Sequence, residues 1–168
     1  MQINGRQSAE RGGEESDAES VAHAIALRKL TSRAHTRREL DRALRAKDVP
    51  QDVIDAVLDR LQGVGLVDDA SFAEGWVSSR QQRRHLSRRL LSRELQAKGV
   101  DHSHIDSALD CVDRDAELSS ARALVERKQM AMTGLSRDVQ YRRLAGMLSR
   151  RGFDTAITTQ VLADMLGE

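Results

Sequence analysis

Carboxylate and imidazole side chains occur in two places where they could bind a metal ion. Asp68 and Asp69 are adjacent oxygen donors, but no third or fourth ligand stands near them, so capping of a helix start is favoured. His102 and His104 lie near the start of a predicted helix, and their rings therefore point about 200° apart around its axis. Rings so placed cannot hold one ion together, and the sequence predicts no metal site.

A phosphate-binding loop and a reactive thiol are the other candidates for chemistry. The stretch Gly63-Val64-Gly65 lacks the third glycine, the preceding strand and the Lys-Ser/Thr of such a loop, so it predicts a turn. Cys111 has no second cysteine to pair with, and its Leu-Asp-Cys-Val context predicts a small side chain that fills the core or its boundary. We expect no catalytic residue and no cofactor, and therefore not an enzyme.

The composition of the chain indicates the type of secondary structure in which these residues lie. The 168 residues are 39% hydrophobic but only 2% aromatic, with one proline, which favours helices over a β-sandwich or barrel. The 27 basic and 26 acidic residues leave a net charge of +1, so any attraction for a polyanion must be local. No apolar run is long enough for a membrane span, and the single thiol suits a reducing compartment, so we expect a cytoplasmic protein.

Apolar residues recur at three- and four-residue intervals from Val21 onward, and one pattern occurs three times. The copies are spaced by 51 residues, from Leu40 to Leu91, and by 53 residues, from Leu91 to Leu144. The three copies are Leu40-x-x-x-Leu44-x-Ala46-Lys47-Asp48-Val49, Leu91-x-x-x-Leu95-x-Ala97-Lys98-Gly99-Val100 and Leu144-x-x-x-Leu148-x-Arg150-Arg151-Gly152-Phe153.

Each copy has the form of a helix end followed by a turn. A basic last turn suits the negative end of the helix dipole, and the next residue must accept a left-handed conformation. Gly99 and Gly152 do so readily, and Asp48 is the tolerable exception. Further helices before and after each copy make three helices per repeat. We predict an all-α fold with repeats at 21–64, 65–113 and 114–168, preceded by a disordered acidic tail at 1–20.

An unusual run of positive charge extends from Arg80 to Arg93 without an acidic residue. A solvated helical face is the simpler interpretation of such a run. Ser87 predicts a helix start, however, and arginines in a first turn oppose the helix dipole. The capping box Thr36-Arg37-Arg38-Glu39 repeats that conflict in the first copy. Arginines beside free N–H groups of a helix start would form a receptor for carboxylate or phosphate.

The anionic partner could be either an acidic protein surface or a nucleic-acid backbone, and these residues do not decide between the two. Few aromatic residues are present for base stacking, and Trp76, four residues after Phe72, is favoured as a core residue of the second repeat. The third helices of the repeats contain several aspartates, which argues against reading bases in the major groove.

The residues between about 24 and 166 resemble the RecX regulatory proteins of bacteria. The resemblance is carried by Ala26-Leu27-x-x-Leu30, Arg37-x-Glu39-Leu40, Leu44-x-x-Lys47, the Gly65-Leu66-Val67-Asp68-Asp69-x-x-Phe72-Ala73 junction and Glu94-Leu95-x-x-Lys98-Gly99-Val100. It implies three tandem three-helix repeats in an elongated, curved array that takes part in DNA repair, recombination and the SOS response.

The resemblance also implies a partner. Members of the family bind in the groove of the RecA filament on single-stranded DNA and inhibit ATP hydrolysis and strand exchange. We expect a monomeric regulator of this kind, with direct DNA contact left open. The alternatives are a nucleic-acid-binding helical protein that acts without RecA and a helical scaffold for another protein. The residues expected to bind the RecA filament or DNA are Arg37, Arg38, Arg80, Arg83, Arg84, Arg88, Arg89, Arg93 and Lys98.

Overall fold

The computed structural model describes the backbone of residues 4–167 and the side chains of residues 17–167. Within this part of the chain there are nine α-helices and a 3₁₀ turn at Met130–Met132, and no strand. The helices are α1 (Asn4–Ser32), α2 (Arg37–Arg45), α3 (Gln51–Gly63), α4 (Asp69–Arg84), α5 (Arg88–Ala97), α6 (His102–Leu109), α7 (Arg114–Gln129), α8 (Arg137–Arg150) and α9 (Thr155–Leu166). The predicted all-α fold is confirmed. None of the described helices is both long enough and apolar enough to cross a membrane.

The middle helix of each repeat buries the leucines that define the repeated pattern. Leu40 and Leu44 of α2 are fully buried, and so are their counterparts in α5 and α8, namely Leu91, Leu95, Leu144 and Leu148. Residues four apart lie on the same face of a helix, so each pair forms one apolar stripe. The stripes of α2 and α8 belong to two separate hydrophobic cores, formed by α1 to α3 and by α7 to α9.

The predicted turns after the middle helices are confirmed. Asp48, Gly99 and Gly152 have φ values of 57°, 79° and 88°, all in the left-handed region. A third helix follows each turn. Asp154 caps the start of α9, because its carboxylate accepts a hydrogen bond from the N–H of Ile157 at 2.8 Å. Each predicted repeat therefore contains three helices.

The segment expected to be a disordered tail differs from that expectation where the structure describes it. Residues 4–20 belong to α1, while residues 1–3 lie outside the described residues. Glu19 forms an ion pair with Arg60 of α3 at 3.3 Å, which attaches this acidic stretch to the first repeat. Extending an existing helix requires no new nucleus, so a polar stretch can continue a helix that it could not begin alone.

The chain divides into two compact units. The first contains the chain up to Phe72 together with Lys98–Val100. It holds α1 to α3 and the turn that follows α5. The second contains Ala73–Ala97 and the chain from Asp101 onward. It holds most of α4 and the helices α5 to α9.

Candidate functional site

The start of α2 contacts the turn that follows α5. Thr36 and Glu39 form the predicted capping box, in which the N–H of Glu39 donates to Thr36 Oγ1 at 3.1 Å. The Thr36 hydroxyl then donates to the carbonyl of Lys98 at 2.7 Å, and Lys98 Nζ lies 2.7 Å from Glu39 Oε1. We call this contact of a helix start with a later turn the first joint.

Glu39 is the electrostatic centre of the first joint. Burial by itself raises the pKa of Glu39, but hydrogen bonds from Lys98 and Arg33, the charge of Lys98 and the backbone N–H of Thr36 together lower it to about 2. Lys98 therefore forms an ion pair inside the protein. Its ammonium group also lies 5.5 Å from the centre of the Phe72 ring.

A second joint has the same form at the start of α5. Ser87 Oγ accepts a hydrogen bond from the N–H of Leu90 at 3.1 Å, which confirms Ser87 as a helix cap. The N–H of Ser87 donates to the carbonyl of Arg151 at 3.0 Å, in the turn after α8. Arg89 Nε donates to the carbonyl of Gly152 at 3.3 Å. Arg89 is nevertheless exposed.

The first N–H group of each of these two helices, which was expected to be free, is occupied. The N–H of Arg37 donates to Asp69 Oδ1 at 2.8 Å, and the N–H of Arg88 donates to Glu117 Oε1 at 2.9 Å. The expectation of an open anion receptor at these N–H groups is therefore wrong. The physical reason is that α4 and α7 each supply a carboxylate from the first residues of the next repeat.

The side chains of Arg37 and Arg88 also bind within the protein. Arg37 lies 2.7 Å from Asp59 of α3 and donates to Gln62. Arg88 donates to the carbonyl of Leu109 and, at 3.3 Å, to that of Val112, at the end of α6. Both arginines therefore attach a middle helix to the third helix of the same repeat.

Arg80 is held between two neighbouring helices. Its guanidinium group lies 3.9 Å from the centre of the Trp76 ring, and its Nε donates to Glu94 Oε2 of α5 at 3.2 Å. The indole N–H of Trp76 donates to the same oxygen at 2.8 Å. Trp76 is half-buried, and one face of its ring is covered by Arg80.

The remaining predicted site residues are exposed. Arg83 and Arg84 end α4, Arg93 lies on α5, and none of the three forms an ion pair with a residue that the structure describes. Arg38 is exposed but lies beside Gly99, close enough for its aliphatic carbons to obstruct a Cβ at that glycine. The structure thus separates the predicted residues into an internally bound group and an exposed group.

A groove in the third repeat was missed by the sequence analysis. It has a volume of about 610 Å³ and lies between α7, the 3₁₀ turn and α8. Its basic residues are Arg127, Lys128, Arg142, Arg143, Arg150 and Arg151. The signal was present in the sequence as two Arg-Arg pairs, in which Arg143 and Arg150 are seven residues apart and so lie on the same face of α8.

Two other residues differ from simple expectation. Cys111 is exposed, so its predicted place in the core or its boundary is wrong, because α6 ends at Leu109 and the thiol lies beyond it. His85, just after α4, has a φ of 49° without being glycine. Among the described residues there is no group of three His, Cys, Asp or Glu side chains placed to hold a metal ion.

The fold and these surfaces define an all-α protein of three tandem three-helix domains with arginine-rich faces. Family models of the first, second and third three-helix domains of RecX match residues 22–61, 68–109 and 115–162. The chain belongs to the RecX family, as the resemblance predicted.

Bacterial relatives are similar in sequence to this chain along most of its length. The "Regulatory protein RecX" of Streptomyces coelicolor is 44% identical over 160 residues, which cover 95% of this chain and 85% of that protein. The protein of the same name from Mycobacterium avium is 45% identical over 156 residues, covering 92% and 90%. The crystal structure of RecX from Lactobacillus salivarius has a TM-score of 0.78 at 21% identity, covering 89% of this chain and 97% of that one, and supports the fold. The relatives' shared name supports a regulatory role.

Proposed function

We propose that the protein regulates the RecA recombinase in the cytoplasm. It binds as a monomer in the groove of the RecA filament on single-stranded DNA and inhibits ATP hydrolysis and strand exchange, without catalysing a reaction. The observation that carries the proposal is the match of all three successive domains to the RecX family. A tandem array of small helical domains suits a partner that is itself a repeating assembly, because each domain can contact a further part of it.

The exposed arginines of the second repeat are the proposed contact residues. Arg83, Arg84 and Arg93 keep their charge available, since no described carboxylate neutralises them. The ion pair of Arg80 with Glu94 ties α4 to α5 and so places the three arginines on two adjoining helices. Arg89, in the same unit, and Arg38, in the first unit, are also exposed and are further proposed contact residues. Arg37, Arg80, Arg88 and Lys98 support the fold instead of making the main contacts.

The single-strand-dependent ATPase activity of RecA tests the proposal directly. We expect a substoichiometric amount of the protein to slow ATP hydrolysis, because one molecule that blocks a filament affects many RecA subunits. Hydrolysis that is unchanged up to equimolar protein would remove the proposed function.

Replacement of Arg83, Arg84 and Arg93 by alanine tests the contact residues. We expect the triple variant to need roughly tenfold more protein for half-maximal inhibition, because three unpaired charges are lost, each worth on the order of 0.5 kcal/mol or more. Its melting temperature should stay within about 2 °C of the parent's. Arg28, Arg42 and Lys47 are exposed basic residues of the first repeat, and their triple alanine variant is the control of equal charge. Equal inhibition by both variants would refute the assignment of these residues.

A RecA-independent nucleic-acid-binding function is the competing hypothesis. A salt titration of binding to naked single-stranded DNA distinguishes the two, because phosphate contacts make affinity fall steeply with salt. Tight, steeply salt-dependent binding together with an unaffected RecA ATPase would favour the competitor.

A further inference from the structure

The groove of the third repeat is a concentrated site of positive charge. Three of its basic residues, Arg142, Arg143 and Arg150, lie on α8, and two, Arg127 and Lys128, lie on α7. None of the six forms an ion pair with a carboxylate among the residues that the structure describes. Nor is there an aspartate or glutamate among the described residues that line the groove. A groove of this kind attracts an anionic ligand.

The charge of the groove also affects a neighbouring side chain. Burial lowers the pKa of His85, and the positive charges of Arg127 and Arg151 lower it further. Arg151 is in addition attached to the chain at this point, because it donates to the carbonyl of Arg84. The guanidinium group of Arg151 is therefore held beside the loop between α4 and α5.

The floor of the groove is apolar. Leu124 and Met132 are buried beneath it, and Met147 is half-buried in its lining. Methionine adapts its shape to an apolar side chain that is placed against it. The groove therefore combines basic edges with an apolar base.

Gly146 is the least expected residue in the lining. A glycine in the interior of a helix costs about 1 kcal/mol relative to alanine. The surrounding protein does not require one, because an added Cβ would meet only the end of the flexible Arg150 side chain, at 3.4 Å. A glycine without a packing reason is typical of a place where a ligand approaches the backbone closely.

We propose that this groove binds an acidic segment of another protein, with an apolar side chain of that segment seated on Leu124, Met132 and Met147. Carboxylates of the segment pair with the arginines on both edges, and its backbone passes close to Gly146. The groove is lined by residues of the third repeat, whereas most of the proposed contact arginines belong to the second, so the inference does not depend on the proposed function.

A nucleic-acid backbone is less suitable for this groove. Phosphates would satisfy the arginines, but the part of the chain that the structure describes places no aromatic side chain in the groove lining to stack a base. The apolar floor would then remain unused. A peptide uses both features at once, as segments with apolar anchors do in other grooves.

Fluorescence anisotropy with defined probes tests the proposal on the full chain. The first probe is a fluorescein-labelled peptide of glutamates that flank a central Leu-Phe pair, the second has Ser-Ser in place of that pair, and the third is an oligothymidylate of equal charge. We expect the first to bind at least roughly tenfold more tightly than the second, because an apolar side chain gains burial on the floor. Equal binding of the two peptides, or an oligothymidylate that displaces the first peptide at lower concentration than the same peptide without label does, would overturn the proposal.

Two pairs of variants locate the binding. Arg143→Glu with Arg150→Glu should abolish binding of the Leu-Phe peptide. Arg28→Glu with Arg42→Glu changes the net charge equally at exposed sites elsewhere and should retain most of the binding.

The second pair of variants tests the glycine. Gly146→Ala should raise the melting temperature by roughly 2–4 °C and yet weaken binding of the Leu-Phe peptide several-fold. Gly75→Ala, at an exposed interior glycine of α4 with open space around it, should raise the melting temperature alone. Unchanged peptide affinity in Gly146→Ala or in the arginine variant would contradict the proposal.

Discussion

Asp48, Gly99 and Gly152 all have left-handed backbone conformations, but the space available for a Cβ differs among them. A Cβ on Gly99 would lie 2.0 Å from Arg38 Cδ, and one on Gly152 would lie 2.3 Å from Ser87 Oγ and 2.8 Å from Leu90 Cβ. Asp48 has the same backbone conformation but is exposed. Gly99 and Gly152 are thus required both for the left-handed conformation and for the lack of space for a Cβ. Asp48 has only the energetic cost of the left-handed conformation.

Alanine at Gly152 should therefore be far more harmful than a change at Asp48. We expect Gly152→Ala to lower the free energy of unfolding by roughly 2–4 kcal/mol, the sum of left-handed strain and overlap with Ser87 and Leu90. Asp48→Gly should be neutral or stabilising by up to about 1 kcal/mol. Urea denaturation of the two variants measures this difference, and similar effects would show that the second joint is not tightly packed.

The lowered pKa of Glu39 makes part of the stability depend on pH. Its pKa falls from 4.5 to about 2 on folding, so the unfolded chain binds the proton more tightly than the folded protein does. The stabilisation is therefore complete above pH 4.5 and is lost as the pH falls towards 2. We expect the stability difference between the parent and Glu39→Gln to shrink across this interval in thermal melts. A difference that is constant with pH would mean that Glu39 is not ionised in the joint.

At the scale of the helices, the charge conflict at two helix starts is resolved by neighbouring elements. Asp69 and Glu117 bind the N–H groups of Arg37 and Arg88 and so supply the negative charge that each helix start lacks. The arginine side chains turn towards the third helix of their repeat, where Arg88 binds carbonyls at the end of α6. Positive charge is favourable at that end of a helix.

Arg88 and Arg89 should consequently differ although they are adjacent. The helix dipole alone predicts a slight gain in stability when either is removed. Arg88→Ala, however, removes the donor that links α5 to the carbonyls of Leu109 and Val112, although the Leu109 carbonyl still accepts from the N–H of Val112. We expect Arg88→Ala to lower the free energy of unfolding by about 1–3 kcal/mol and Arg89→Ala by less than about 1 kcal/mol. Calorimetry of the single variants tests this, and an Arg88 variant as stable as the parent would make Arg88 available to a partner after all.

At the scale of the whole molecule, the two joints repeat one mode of attachment. In both, a hydroxyl-capped helix start contacts the turn that ends the middle helix of the following repeat. Stability in such arrays is shared between each repeat and its neighbour. A destabilising substitution in one turn should therefore also destabilise the helix start that the turn contacts.

Hydrogen exchange of Gly152→Ala tests that coupling. We expect faster exchange of the amides of Ser87 and Leu90, which lie in the second repeat more than sixty residues away in sequence. The amides of Glu39 and Leu40 in the first joint should keep their protection, because their partners are unaltered. A uniform loss of protection in both joints would show that the chain unfolds as one unit instead.

The sequence by itself determined the helices, the repeats, the caps at Thr36 and Ser87 and the left-handed turns. These features depend on residues within one or two helical turns of each other, so periodicity and capping rules reach them. The family was also accessible, because its motifs lie in such local patterns.

Only the tertiary structure decided which arginines are bound internally and which remain exposed. Arg88 differs from Arg93 because Glu117, Leu109 and Val112 are brought to it by packing, from about twenty to thirty residues further along the chain. The basic groove likewise needs α7 and α8 side by side before its charges form one surface. A long charged side chain takes its partner from whatever folding places within reach, and local sequence does not contain that information.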